Sequence, residues 1–104
     1  MSNQPISEQF RLAAKEWVAA DTAANLLEET KSAFLSQMML KLGDLPVSKA
    51  EMQAKGSAEW TAHVNQMVFA REKANLLKVK LEWLRMRHRE WISADANQRA
   101  EMKL

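Results

Sequence analysis

Apolar residues recur at three- and four-residue steps through both halves of this chain, and the halves are separated by a short stretch that holds both glycines. In the first half Phe10, Ala13, Trp17, Ala20, Ala24, Leu27, Lys31, Phe34 and Met38 share one helical stripe, with Lys31 its one strong violation. In the second half Trp60, His63, Met67, Ala70, Ala74, Leu77, Leu81, Leu84, His88 and Trp91 form a heptad seam that runs into Asp95 and Gln98. Alanine alternating with Trp or Phe predicts close helix approach, with large side chains filling alternate layers.

Punctuation sets the expected boundaries. Residues 1 to 7 read as a flexible tail, with Pro5 outside the first helix and Ser7 as its N-cap. A long helix over 8–42 follows, ended by Gly43 and Pro46 in GDLP. The connector, 43–56, contains Ser48 and Glu51 in a capping-box spacing that predicts a short helix ending near Lys55 and Gly56. Ser57 then caps a second long helix over 57–98, with Glu59 in its first turn, and residues 99–104 are expected to fray. Two long helices joined by a short connector fold back most simply as an antiparallel hairpin. The fold class is all-α: an elongated antiparallel helical hairpin with a short connector helix, hairpins pairing into an oligomeric bundle.

The bundle is expected because the second helix has another apolar row. Phe69, Leu76, Val79, Trp83 and Met86 recur roughly opposite Leu77, Leu81 and Leu84, and a two-helix hairpin buries only one of those faces. An apolar row left in water over several turns marks an interface. These five residues are the predicted protein interface, for a homodimer or higher homo-oligomer or for a protein partner.

Charge changes the picture locally. There are 15 Lys and Arg against 13 Asp and Glu, too even for a generic polyanion binder, but residues 71 to 91, REKANLLKVKLEWLRMRHREW, are strongly basic. Arg71, Lys78, Arg85 and Arg89 flank one side of the Leu77–Leu84 seam, and Lys73, Lys80 and Arg87 flank the other. Such stems guard the edges of an apolar stripe and pair with acids on a neighbouring helix, for which Glu16, Glu28 and Glu29 are candidates. The same seven residues are candidate contacts to an acidic protein surface or to nucleic acid, with Trp83 and Trp91 able to stack on unpaired bases.

Catalytic chemistry finds little footing. His63 and His88 lie 25 residues apart on one predicted helix, about 37 Å of axial rise, so they cannot share a metal within one chain; both fall on the seam and are expected to pack. His88, near Arg85 and Glu90, is also a candidate pH-sensitive contact. There is no cysteine, and no paired-carboxylate site, nucleophile elbow or phosphate-cradling loop. The seven Met suit adaptable packing. Asn25, Asn65 and Asn75 read as solvent-facing. We expect no enzyme activity, no cofactor and no metal. The absence of a long apolar run or a signal-like N-terminus points to a cytoplasmic protein that does not insert into membranes.

The order of parts, LSQMMLKLGDLPVSKAEMQAKGSAEWTAHVNQM, then REKANLLKVKLEWLRMRHREW, then ISADANQRA, resembles a loose group of small helical proteins encoded by bacteriophages and prophages near recombination genes, including those for single-strand-annealing proteins. The resemblance covers roughly residues 31 to 100. Its terminal segment corresponds here to Trp91, Ser93, Ala94, Asn97, Arg99 and Ala100, with Gln98 inserted between Asn and Arg. The resemblance implies a role around phage DNA recombination, with a phage recombination protein or single-stranded DNA as partner. A phage protein of this size can instead bind and disable a host protein. The expected function is therefore non-catalytic self-association and partner binding, with direct single-strand binding and inhibition of a host factor as alternatives.

Overall fold

The computed structural model describes residues 4–102, and these form four helices: α1 (Ile6–Glu29), α2 (Lys31–Lys41), α3 (Val47–Lys55) and α4 (Ala58–Met102). α1 runs along α4, with Ala13 beside Leu81 and Leu84, Ala20 and Ala24 beside Ala74, and Phe34 of α2 against Trp60 and His63. Rising numbers on one strand of the hairpin meet falling numbers on the other, so the long helices are antiparallel. The all-α hairpin is elongated, 84 × 22 × 18 Å.

Its core is a thin line. Ala13, Ala20, Ala24 and Ala74 occupy the α1–α4 seam, and Leu81 and Leu84 are its large buried side chains. Alanine at these layers lets the backbones approach, while Phe10, Trp17 and Leu77 fill the flanks from half-buried positions. At the connector end Met38, Ala54 and Trp60 form a second core, closed by Phe34, Leu35, Met39 and Val64. Lys31, the polar intruder on the first stripe, stays exposed and sets its Nζ 5.9 Å from the Trp60 ring centroid. An aliphatic stem over apolar surface with its cation on an aromatic face removes the violation.

Several boundaries differ from the sequence expectation. The first helix starts at Ile6, not Glu8, because the Pro5 carbonyl accepts the Glu8 and Gln9 amides at 3.0 and 3.1 Å, leaving Ser7 inside the helix. Residues 1–3 of the expected tail lie outside the described residues. The expected single helix over 8–42 is divided at Thr30, whose hydroxyl donates to the Leu26 and Leu27 carbonyls at 2.8 and 3.3 Å and distorts that turn. The Phe34 amide still bonds the Thr30 carbonyl at 3.0 Å, so α2 continues from α1 after one residue.

Gly43, at φ +80°, ends the α2 segment in the left-handed conformation that glycine adopts without steric cost. The expected Ser48–Glu51 box does not form. Pro46 caps α3 through its carbonyl, which takes the Lys49 and Ala50 amides at 3.0 and 2.9 Å, and Glu51 pairs instead with Lys55 at 2.8 Å. Ser57 acts as expected: its Oγ accepts the Trp60 amide at 3.1 Å while donating to the Ala54 carbonyl at 2.6 Å, joining the end of α3 to the start of α4. α4 continues past Gln98 to Met102, through the segment expected to fray; residues 103 and 104 lie outside the described residues.

Candidate interaction surface

Antiparallel packing turns one face of α4 toward α1 and leaves the opposite face in water. Phe69, Leu76, Val79, Trp83 and Met86 lie on that outer face, each between 49% and 73% exposed, and Val68, which periodicity alone did not single out, extends the row. Against so thin a core, this is a large apolar commitment to solvent. Past His88, beside which α1 begins, α4 also runs on without α1 and exposes Trp91 and Ile92.

The two edges of the α1–α4 seam are built differently. On one edge Arg71 crosses from α4 to α1: Nη1 donates to Asp21 at 2.8 Å, Nη2 to Glu28 and to Asn25 at 2.6 Å each, and Nε to Glu28 at 3.0 Å. Asp21, Asn25 and Glu28 follow one another at four and three residues, so one helix face presents all three acceptors to a single guanidinium. The hydrogen bond from Arg71 holds the Glu28 carboxyl below the ordinary carboxylate range, and the same contacts push the guanidinium up. Glu28 was an expected partner of the basic stretch. Glu16 and Glu29 make no ion pair among the described residues, and Asp21 and Asn25 were missed although their spacing was a usable signal.

On the other edge the helices leave an open groove of about 1020 Å³. Glu16, Ala19 and Ala23 of α1 form one wall, and Phe69, Lys73, Leu76 and Lys80 of α4 form the other. The floor is the seam itself, Ala20, Ala70 and Leu77.

The remaining basic residues are distributed, not gathered. The Arg85 guanidinium sits 5.7 Å from the Phe10 ring centroid and Arg87 sits 5.1 Å from that of Trp83, while Lys78 and Arg89 are exposed. Arg71 is committed to α1 and so stands apart from the outward contacts expected of it.

The histidines separate as their positions in the hairpin dictate. His63 is buried, its ring stacked on Phe34 with centroids 4.2 Å apart, and its Nε2 has no hydrogen-bond partner among the described residues. His88, expected to pack on the seam, is exposed because α1 begins beside it and covers no more of α4 beyond that point; its ring stacks on Trp91 at 6.4 Å. Among the described residues no helix is long and apolar enough to cross a membrane, and no three His, Asp or Glu gather as a metal site. Comparison with protein-family models, with curated proteins and with solved structures found no match.

Proposed function

We propose that this chain is a non-catalytic interaction protein that self-associates and binds a protein partner through the outer face of α4. The exposed row Phe69, Leu76, Val79, Trp83 and Met86 carries this reading. Burying such a row removes apolar surface from water at about 25 cal/mol per Å², a driving force added to that of a seam built largely of alanine within one hairpin. The resemblance over residues 31 to 100 directs the search for a partner toward phage recombination proteins, with a host protein as the other candidate.

Light scattering after size exclusion tests the reading. The wild type is expected at the mass of two or more chains, and Trp83→Ala is expected to reduce assembly or partner capture more than neutralising a distant lysine such as Lys15. A folded monomer at every concentration tried would overturn self-association.

A second reading, binding of single-stranded nucleic acid, is favoured by one observation, the Arg87 guanidinium lying over the exposed Trp83 ring. Cation and aromatic face together suit a phosphate and its base. If this reading holds, a fluorescent single-stranded oligonucleotide binds in a salt-dependent manner. Arg85→Ala with Arg87→Ala then weakens binding to unrelated sequences alike and flattens the salt dependence, while the oligomer persists.

A further inference from the structure

We infer that the groove along the open edge of the hairpin is filled by a second copy of this chain, α1 of each copy packing against α4 of the other. The inference rests on the self-association proposed above but seats it at the groove, which only Phe69 and Leu76 of the outer row border, and adds the pairing of helices and the residues that meet.

The Arg71 clamp to Asp21, Asn25 and Glu28 closes one edge of the seam with polar bonds. The opposite edge has two unlike walls. The α1 wall is small and acidic, Ala19 and Ala23 with Glu16; the α4 wall is large and basic, Phe69 and Leu76 with Lys73 and Lys80. Glu72 is the exception in charge on the α4 wall; it and Leu76 also border a second groove on the clamp side, with Arg71. Walls that differ in both size and charge complement each other and not themselves. A two-fold axis therefore sets α1 against the second copy's α4, where Leu76 and Phe69 meet alanines and Glu16 meets lysines, and it does so twice. Setting α4 against α4 would place Lys73 and Lys80 against their own counterparts, where like charges oppose association.

Local geometry agrees. Ala19 and Ala23 are exposed in the single hairpin and adjoin the buried Ala20 and Ala24, so α1 offers a broad alanine surface on which another helix can come close. The product is a four-helix bundle in which each long helix has one neighbour from its own chain and one from the other.

The test is the dimer dissociation constant of the full chain by light scattering over a concentration series, with circular dichroism as the check on folding. Ala19→Arg and Ala23→Arg put bulk and positive charge on the α1 wall, and each is expected to weaken the dimer about 30-fold or more. Thr22→Arg, at another exposed position of α1, is expected to leave it unchanged. Glu16→Lys and Lys80→Glu should each weaken self-pairing, while an equal mixture of the two forms a heterodimer tighter than either homodimer. Repulsion within one chain would persist in that mixture, so the rescue reports pairing between chains and holds even if the alanine variants misfold.

Unaltered dimers of Ala23→Arg, with no preference for the mixed charge pair and dissociation by Trp83→Ala, would overturn this arrangement and leave self-association through the outer row standing. A wild type that stays monomeric overturns both.

Discussion

The His63 imidazole lies nearly parallel to the Phe34 ring, at 10° and 4.2 Å between centroids, and this stack ties α2 to the start of α4. Trp60 stacks near both rings, and the Lys31 cation caps the Trp60 face. Phe34→Ala is expected to cost about 2–3 kcal/mol, less than a fully buried phenylalanine because the ring is half-buried. His63→Leu should fall within about 1 kcal/mol of wild type or stabilise, since it removes a buried Nε2 that has no partner among the described residues and keeps an apolar side chain against Phe34. Urea unfolding of both variants checks this; a loss at His63→Leu as large as at Phe34→Ala would mean that the imidazole's ring stacking, or a polar contact it makes, is essential to the fold.

The alanine seam sets opposite limits at its two ends. Leu84→Ala should destabilise by about 3 kcal/mol through a cavity in the Ala13 cluster. Ala24→Leu should cost about 1–3 kcal/mol for the reverse reason, because Ala24 is fully buried against Ala74 and the helices must separate to admit the larger side chain. Denaturant midpoints with unchanged slope would register both as native-state effects.

The clamp has a definite pH signature. The Arg71 hydrogen bond lowers the Glu28 carboxyl in the folded state, so its contribution is fully present above the ordinary carboxylate value, about 4.3, and is lost as pH falls through the lower folded value. Between pH 7 and 5 this group should leave stability unchanged. Glu28→Gln should lower the urea midpoint at pH 7 and make little difference near pH 2.5; an equal difference at both values would show that the carboxylate charge is not what Arg71 uses. Arg71→Lys should be nearly as harmful as Arg71→Ala, because one ammonium cannot reproduce the fork that reaches Asp21, Asn25 and Glu28.

Thr30 marks the junction where local chemistry divides a continuous pattern. Thr30→Ala removes the hydroxyl that bonds the Leu26 and Leu27 carbonyls and substitutes a better helix former, so helicity and stability should rise, the latter by about 0.5 kcal/mol. Circular dichroism and thermal unfolding measure it; a loss of stability would show that the break between α1 and α2 is needed to seat Phe34.

Much of the hairpin was legible in the chain itself. The three- and four-residue spacing assigned Ala13, Ala20, Ala24, Leu81 and Leu84 to the seam, Gly43 to a helix end and Ser57 to a cap, because periodicity and capping act over a few residues. The second row was legible by the same rule, since Phe69, Leu76 and Trp83 repeat every seven residues on the side away from the seam. Local competition misled at three places: the Pro5 carbonyl displaced the Ser7 cap, the Thr30 hydroxyl interrupted an unbroken pattern, and the Pro46 carbonyl displaced the Ser48 box.

What only the tertiary structure decided was which residues distant in sequence share an edge. Arg71 reaches Asp21 across 50 residues, His63 is buried while His88 is not because α1 begins beside His88, and a groove opens on the edge opposite the clamp. A helical repeat names the face of each helix, but the relative rotation and stagger of two helices arise from how their side chains interlock. That interlocking chooses the closed edge, the open edge and the end of α4 that stands alone.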